Sequence, residues 1–130
     1  MSKNIQLIKE AYSNFQKGNI PALLESLHDD INWIDPGYPD IPHNGKRKGK
    51  KEVMEFFTGM GNALTFDIFE PQLFIEGGNN VAVKGFFSGT ANETGKRFES
   101  NWVMLWEIQN GKIISYENFF DTNNAVNSLK

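Results

Sequence analysis

With 130 residues the chain has the length of one domain and needs only one hydrophobic core. It is 39% hydrophobic and 22% charged, which argues against disorder, and its formal net charge of -3 offers no positive field to hold nucleic acid. The absence of cysteine excludes a disulfide framework, a thiolate metal site and a cysteine nucleophile.

The first residues, Met1-Ser2-Lys3-Asn4, lead into a polar amphipathic stretch without the apolar run of a signal peptide. Nowhere are there about 18 consecutive apolar residues, so a cytoplasmic protein without membrane contact is expected. Ile5, Ile8, Tyr12 and Phe15 recur at steps of three and four, which predicts an amphipathic helix stopped by Gly18. Asn19 reads as the N-cap of a second, short helix with Pro21 in its first turn; Leu23, Leu24 and Leu27 form its apolar face and His28-Asp29-Asp30 closes it. Ile31 to Ile34 is a short strand. From Asp35 to Gly49 there are three prolines, three glycines and no periodicity, the mark of a long loop, and such loops are often functional. Val53, Phe56, Phe57 and Met60 then define a third helix.

After Gly61 the period changes. Residues 64–75, 80–91, 97–109 and 112–120 are rich in β-branched and aromatic side chains and are separated by turn signals, of which Asn110-Gly111 is the most specific. Pro71 cannot donate to a ladder, so a bulge is expected there. Asp121-Thr122 caps a final helix through Leu129. Helices first and a meander of strands after them predict an α+β domain spanning 1–130.

Side chains alternate along a strand. Ser100, Trp102, Met104 and Trp106 therefore share one face, and Val81, Val83, Gly85, Phe87 and Gly89 share another on the preceding strand. Glycines among such large rings suggest unfilled space, and apolar walls with a few polar groups describe a small-molecule pocket. Trp33, Tyr38, Phe57, Phe87, Trp102, Met104, Trp106, Tyr116, Asn118 and Phe120 are the candidate ligand-binding residues. Val103, Leu105, Ile113 and Phe119 take the opposite parity. The apolar patch they would form outside predicts a homodimer.

Five segments in this order resemble the SnoaL-like, ketosteroid-isomerase-like branch of the nuclear-transport-factor-2-like superfamily. They are the run from Ala11 to Leu24, Trp33-Ile-Asp-Pro-Gly37, Gly49-Lys-Lys-Glu-Val-Met-Glu-Phe-Phe57, Thr94-Gly-Lys-Arg-Phe98 and Asn110-Gly-Lys-Ile-Ile114. The resemblance implies a cone-shaped, curved antiparallel sheet, a partial barrel, covered by N-terminal helices (the cystatin-like fold), and pairing of subunits through the sheet. It also implies that Asp35, before Pro36, matches the general-base aspartate of the steroid isomerases. Their oxyanion tyrosine falls on Ala11, with Tyr12 about 100° further round the helix, and their protonated aspartate falls on Met104. Steroid isomerisation is thereby disfavoured. The arginine and two aspartates of the epoxide-hydrolase relatives fall on Gly85, Phe87 and Asn118, which disfavours that chemistry too.

Asp35 is the catalytic candidate, with an Asx-type turn before Pro36 as its structural alternative. Asp121 reads as a cap and His28 as a helix-end residue. His43 lies in the long loop, from which it could reach the pocket mouth, and two isolated histidines make no metal motif. The run Lys46, Arg47, Lys48, Lys50 and Lys51 reads as solvated surface at a helix start. With no nucleotide loop, nucleophile elbow or zinc motif, no cofactor or metal is expected. Two readings stay open. One is a proton-transfer enzyme (isomerase, cyclase or lyase) on a hydrophobic, ring-containing metabolite; the other is a non-catalytic binder of such a molecule.

Overall fold

The computed structural model describes residues 2–130. Helix α1 (Lys3–Gln16) starts at Ser2, whose hydroxyl accepts from the Ile5 N–H, and buries Ile8, Ala11 and Tyr12. It stops at Gly18, which takes the left-handed conformation with φ +74° that lets the last carbonyls be capped. Asn19 caps α2 (Ile20–Glu25) by accepting from the Ala22 N–H. Then come β1 (Leu27–Asp35), β2 (Gly45–Lys48), α3 (Gly49–Ala63), β3 (Leu64–Gly77), β4 (Asn80–Ala91), β5 (Arg97–Gln109), β6 (Lys112–Phe120) and α4 (Thr122–Leu129).

The six strands form one curved sheet, open rather than closed into a barrel, in the order β2-β1-β6-β5-β4-β3. Its concave face holds the core. Trp102, Met104, Trp106 and Phe87 all point inward and are buried, as the alternation requires. Asn110 and Gly111 both take positive φ, which a two-residue hairpin turn demands. The register of β3 on β4 slips between Pro71 and Leu73, the expected bulge, and again between Phe66 and Ile68. Asp121 caps α4 through the Asn124 N–H. Among the described residues, no helix is long and apolar enough to cross a membrane.

Several expectations fail for identifiable reasons. Leu27 and His28 belong to β1 and not to α2. The ladder from β6 reaches them: Leu27 pairs with Ile113, and the Ile113 N–H donates to the Ser26 carbonyl, so sheet pairing overrides the local helical spacing. The sheet is not wholly antiparallel, because β1 runs parallel to β6. The presumed loop 35–49 contains β2, an edge strand antiparallel to β1. Lys46 and Lys48 are exposed on it, which protects an open edge from pairing with other chains, while Arg47 turns inward. Ile113 is buried, not outward, since a bulge between Glu107 and Ile108 reverses the parity of that hairpin end.

The glycines of β4 do not leave space. A methyl group at Gly85 would collide with the Trp102 indole and the Glu70 carbonyl, and one at Gly89 with the Thr65 carbonyl and the Phe98 ring. Each glycine admits a large ring and the backbone of bulged β3 to a close-packed layer.

Candidate functional site

A cavity of about 80 Å³ lies between the concave face and helices α1, α3 and α4. One water needs roughly 10–15 Å³ of such space and an engineered cavity that admits benzene has about 150 Å³, so the cavity holds several waters as it stands and must expand to about twice its volume to take a single ring. Its walls are Phe15, Phe57, Phe66, Phe69 and Phe87 with Met60 and Met104, and the two flexible methionines are the wall side chains that reorient at low cost.

Alternation along β1 turns Ile31, Trp33 and Asp35 inward together. Trp33 stacks on Tyr116 of β6, its parallel partner, at 3.8 Å between ring centroids. This stack fixes the floor. Asp35, 4% exposed, sits at its edge: the Tyr116 hydroxyl donates to Asp35 Oδ1 at 2.8 Å, and the Asn118 amide N–H donates to the same atom at 3.4 Å. Among the described residues, Asp35 Oδ2 has no hydrogen-bond partner of good geometry. Burial pushes the Asp35 pKa up from 3.8 to about 7; the Tyr116 hydroxyl, the Asn118 amide, the Trp33 indole N–H and, last, the nearby Arg47 charge oppose that rise. Burial and the charge of Asp35 hold Tyr116 far above its ordinary value, so it stays a neutral donor.

Two further polar side chains line the cavity. Burial and the Arg47 charge bring His43 down to about 4, so its imidazole is neutral near pH 7. The Asn44 amide donates to the Pro36 carbonyl at 2.7 Å and ties the ends of the loop together. Arg47 reinforces the tie, donating to the carbonyls of His43 and Glu52. On the opposite wall the Tyr12 hydroxyl donates to Met104 Sδ at 3.2 Å and accepts from the Trp106 indole N–H at 2.9 Å.

The cavity thus brings together Trp33, Asp35, Phe57, Phe87, Met104, Trp106, Tyr116, Asn118 and Phe120. It does not include Tyr38 or Trp102. Tyr38 is 67% exposed and covers Gly45 from outside, because the tied loop sends Ile41 inward in its place. Trp102 is fully buried beneath the lining, filling the gap over Gly85. Tyr12 lies on the inner face with Ile8 and Ala11, as the stripe of Ile5, Ile8, Tyr12 and Phe15 predicts, although it was not counted among the ligand-binding candidates. Its step of four from Ile8 was the available signal. Ile41 and Asn44 come from an aperiodic segment and carried none, whereas His43, which the loop could bring to the pocket mouth, does line the cavity. Among the described residues, no three His, Asp or Glu side chains gather as ligands for a metal ion.

The sequence matches the family model of the SnoaL-like domain over residues 8–116. An NTF2-like protein of unknown function from Burkholderia pseudomallei is 28% identical, with a TM-score of 0.92 over 100% of this chain and 99% of that one. TerC, in a structure co-crystallised with polyporic acid, is 26% identical, with a TM-score of 0.88 over 98% of each chain. A protein from Xanthomonas campestris described as having a cystatin-like fold is 26% identical, with a TM-score of 0.85 over 94% of each. No curated protein matches the chain.

Proposed function

The chain belongs to the SnoaL-like domain family, and on that footing we propose that it is a single-domain proton-transfer enzyme, of isomerase or cyclase type, acting on a hydrophobic ring-containing metabolite. The observation that carries this reading is the asymmetry of the Asp35 carboxyl, with Oδ1 held by two donors and Oδ2 unpartnered beside the cavity. Oδ2 is then the atom that takes a proton from a carbon next to a carbonyl. The C–H pair becomes a C=C bond, the carbonyl π pair moves to oxygen, and the protonated Asp35 returns the proton to the same or another carbon. A pKa of about 7 lets one group serve as base and then as acid near neutrality. That TerC was co-crystallised with polyporic acid supports a small-molecule ligand for this chain.

The test is deuterium wash-in from D₂O at the α-carbon of an enolisable one-ring ketone such as cyclohexanone, followed by NMR. The enzyme-dependent rate is expected to rise with pH through about 7 and then level off, because only ionised Asp35 accepts the proton. A rate no greater than that of buffer between pH 5 and 9 would favour the second reading, a binder without chemistry. A specific observation supports that alternative. Ala11 and Met104 line the cavity without donors, and the Tyr12 hydroxyl is committed to Met104 and Trp106.

The reading includes a homodimer formed through the convex face of the sheet. Strand register sets Ile75, Ala82 and Leu105 in one row and Leu73, Lys84, Val103 and Phe119 in the next. Five of these seven are exposed large hydrophobic residues, a patch that monomers seldom leave open. Lys84 within it and Glu117 at its border can meet across a two-fold axis. Light scattering at micromolar concentration is expected to return a dimer mass for the native chain and a monomer mass for Leu105→Glu. A native monomer would overturn this assembly.

A further inference from the structure

The two ends of the cavity are closed in different ways. At the Asp35 end Trp33, Ile41, His43, Asn44 and Tyr116 are all buried, and the loop that shuts this end is tied to backbone carbonyls by Asn44 and Arg47. Leading away from it, β6 turns Tyr116, Asn118 and Phe120 inward at steps of about 7 Å, and α4 begins directly after. Met60, Leu64, Phe66, Ala125 and Leu129 line the cavity too, and all five are half-buried. Ala125 and Leu129 belong to α4. That helix packs chiefly on β5 and β4, and it contributes no side chain to the hydrophobic core or to the apolar residues packed on it. At its start the Asp121 N–H donates to Ser100 Oγ. Beyond that point, among the described residues, two bonds between side chain and backbone hold it to the sheet. The Glu99 N–H donates to Asn124 Oδ1 at 2.8 Å, and Thr94 Oγ1 donates to the Ser128 carbonyl. An element with so little apolar anchorage opens at the lowest cost.

We propose that α4 is a hinged cover over the apolar end of the cavity, and that a ligand enters and leaves beneath it. Rotation of the wall methionines makes room inside but opens no way in; swinging α4 about Asp121 does. The cover rests on the cavity as the seat of a ligand and not on Asp35 as a base, so it stands or falls apart from the chemistry. Because it closes over the empty and the filled cavity alike, loosening it speeds entry and exit together and leaves affinity nearly unchanged.

Asn124→Ala and Thr94→Val each remove one of the two bonds, and neither residue lines the cavity. Each is expected to raise the population of the open form about fivefold, the usual worth of one hydrogen bond. Exchange NMR on the fluorine of 4-fluorocyclohexanone should then show association and dissociation rate constants both up about fivefold, with Kd within about twofold of the native value. Unchanged rate constants would overturn the cover and leave the Asp35 base standing. So would a rise in dissociation alone, which marks α4 as an ordinary wall. Asn44→Ala frees the opposite loop; if it speeds both rates and the α4 variants do not, the entrance lies at that end and the proposal fails. Failure of the ketone to bind the native protein would overturn the ligand cavity and its cover together. Hydrogen exchange gives a reading without ligand. The amides of residues 126–128 should exchange at least about tenfold faster than those of α1 and α3, and about fivefold faster again in Asn124→Ala. Amides of α4 that exchange only as slowly as the core would overturn the proposal.

Discussion

Asp35→Asn is expected to lower the rate of α-proton exchange by about 10²–10⁴-fold, the usual worth of a positioned general base. The substitution is nearly isosteric. The asparagine carbonyl can stand where Oδ1 stands, still accepting from Tyr116 and Asn118, while its amide nitrogen takes the place of Oδ2. An acceptor for a proton thereby becomes a donor that accepts none. Ligand affinity at low pH should change little, because protonated Asp35 and asparagine both present a donor at that position. Calorimetry on the variant separates the two effects: turnover falls while binding remains. A variant that exchanges protons within about threefold of the native rate would place the chemistry elsewhere. His43 would then become the first alternative, as the neutral imidazole of the same cavity.

Much of this arrangement was legible in the sequence, and what was not had definite physical causes. Periods of 3.6 and 2 located α1, α3 and the four long strands, because burial on one face imposes those periods whatever the ligand. Asn118 stood out as a polar residue on an apolar parity, which held because β6 is regular there. Asp35 stood out only by its place before Pro36 in the family resemblance, at a position read as the start of the loop and found to end β1. Parity fails wherever a bulge intervenes. Phe66 and Phe69 cannot share a face of an unbroken strand, yet both line the cavity because the register slips between Phe66 and Ile68. Ile113 fails in the opposite sense, through the slip at Glu107.

The glycines misled for a different reason. Gly85 and Gly89 looked like omitted volume, but volume in a sheet is shared among three strands, and the rings filling these gaps come from β5. A reading taken one strand at a time cannot see that. The tied loop 36–44 was equally hidden. Its inward residue, Ile41, is selected by the Asn44 and Arg47 contacts to backbone carbonyls, and such contacts leave no periodic trace.

The same burial that tunes Asp35 should be measurable as a stability cost that depends on pH. In the folded chain Asp35 ionises near pH 7, whereas in the unfolded chain it ionises near 3.8. A group whose folded pKa is raised contributes stability that is present in full below the unfolded value and is lost as pH rises through the folded one. Between about pH 4 and 7 the unfolded chain can release a proton that the folded chain retains, so rising pH favours unfolding. At about 1.4 kcal/mol per pKa unit, the full loss is about 4 kcal/mol, reached above pH 7. Asp35→Asn has no such titration. Urea unfolding of both proteins at pH 4, 5.5, 7 and 8.5 should show a difference in stability that grows in favour of the variant up to about pH 7 and is flat beyond it. The exposed ion pair of Arg97 with Asp67, which also responds to pH, is common to both proteins and cancels in the difference. A difference that does not change across the range would mean that Asp35 ionises as it would in water. The base proposed for this cavity would then lack the withdrawal from solvent that makes it useful near neutrality. A difference of the expected sign and size would show the protein giving up stability to keep one carboxyl poised between its two protonation states, the trade found where a fold holds a reactive group out of water.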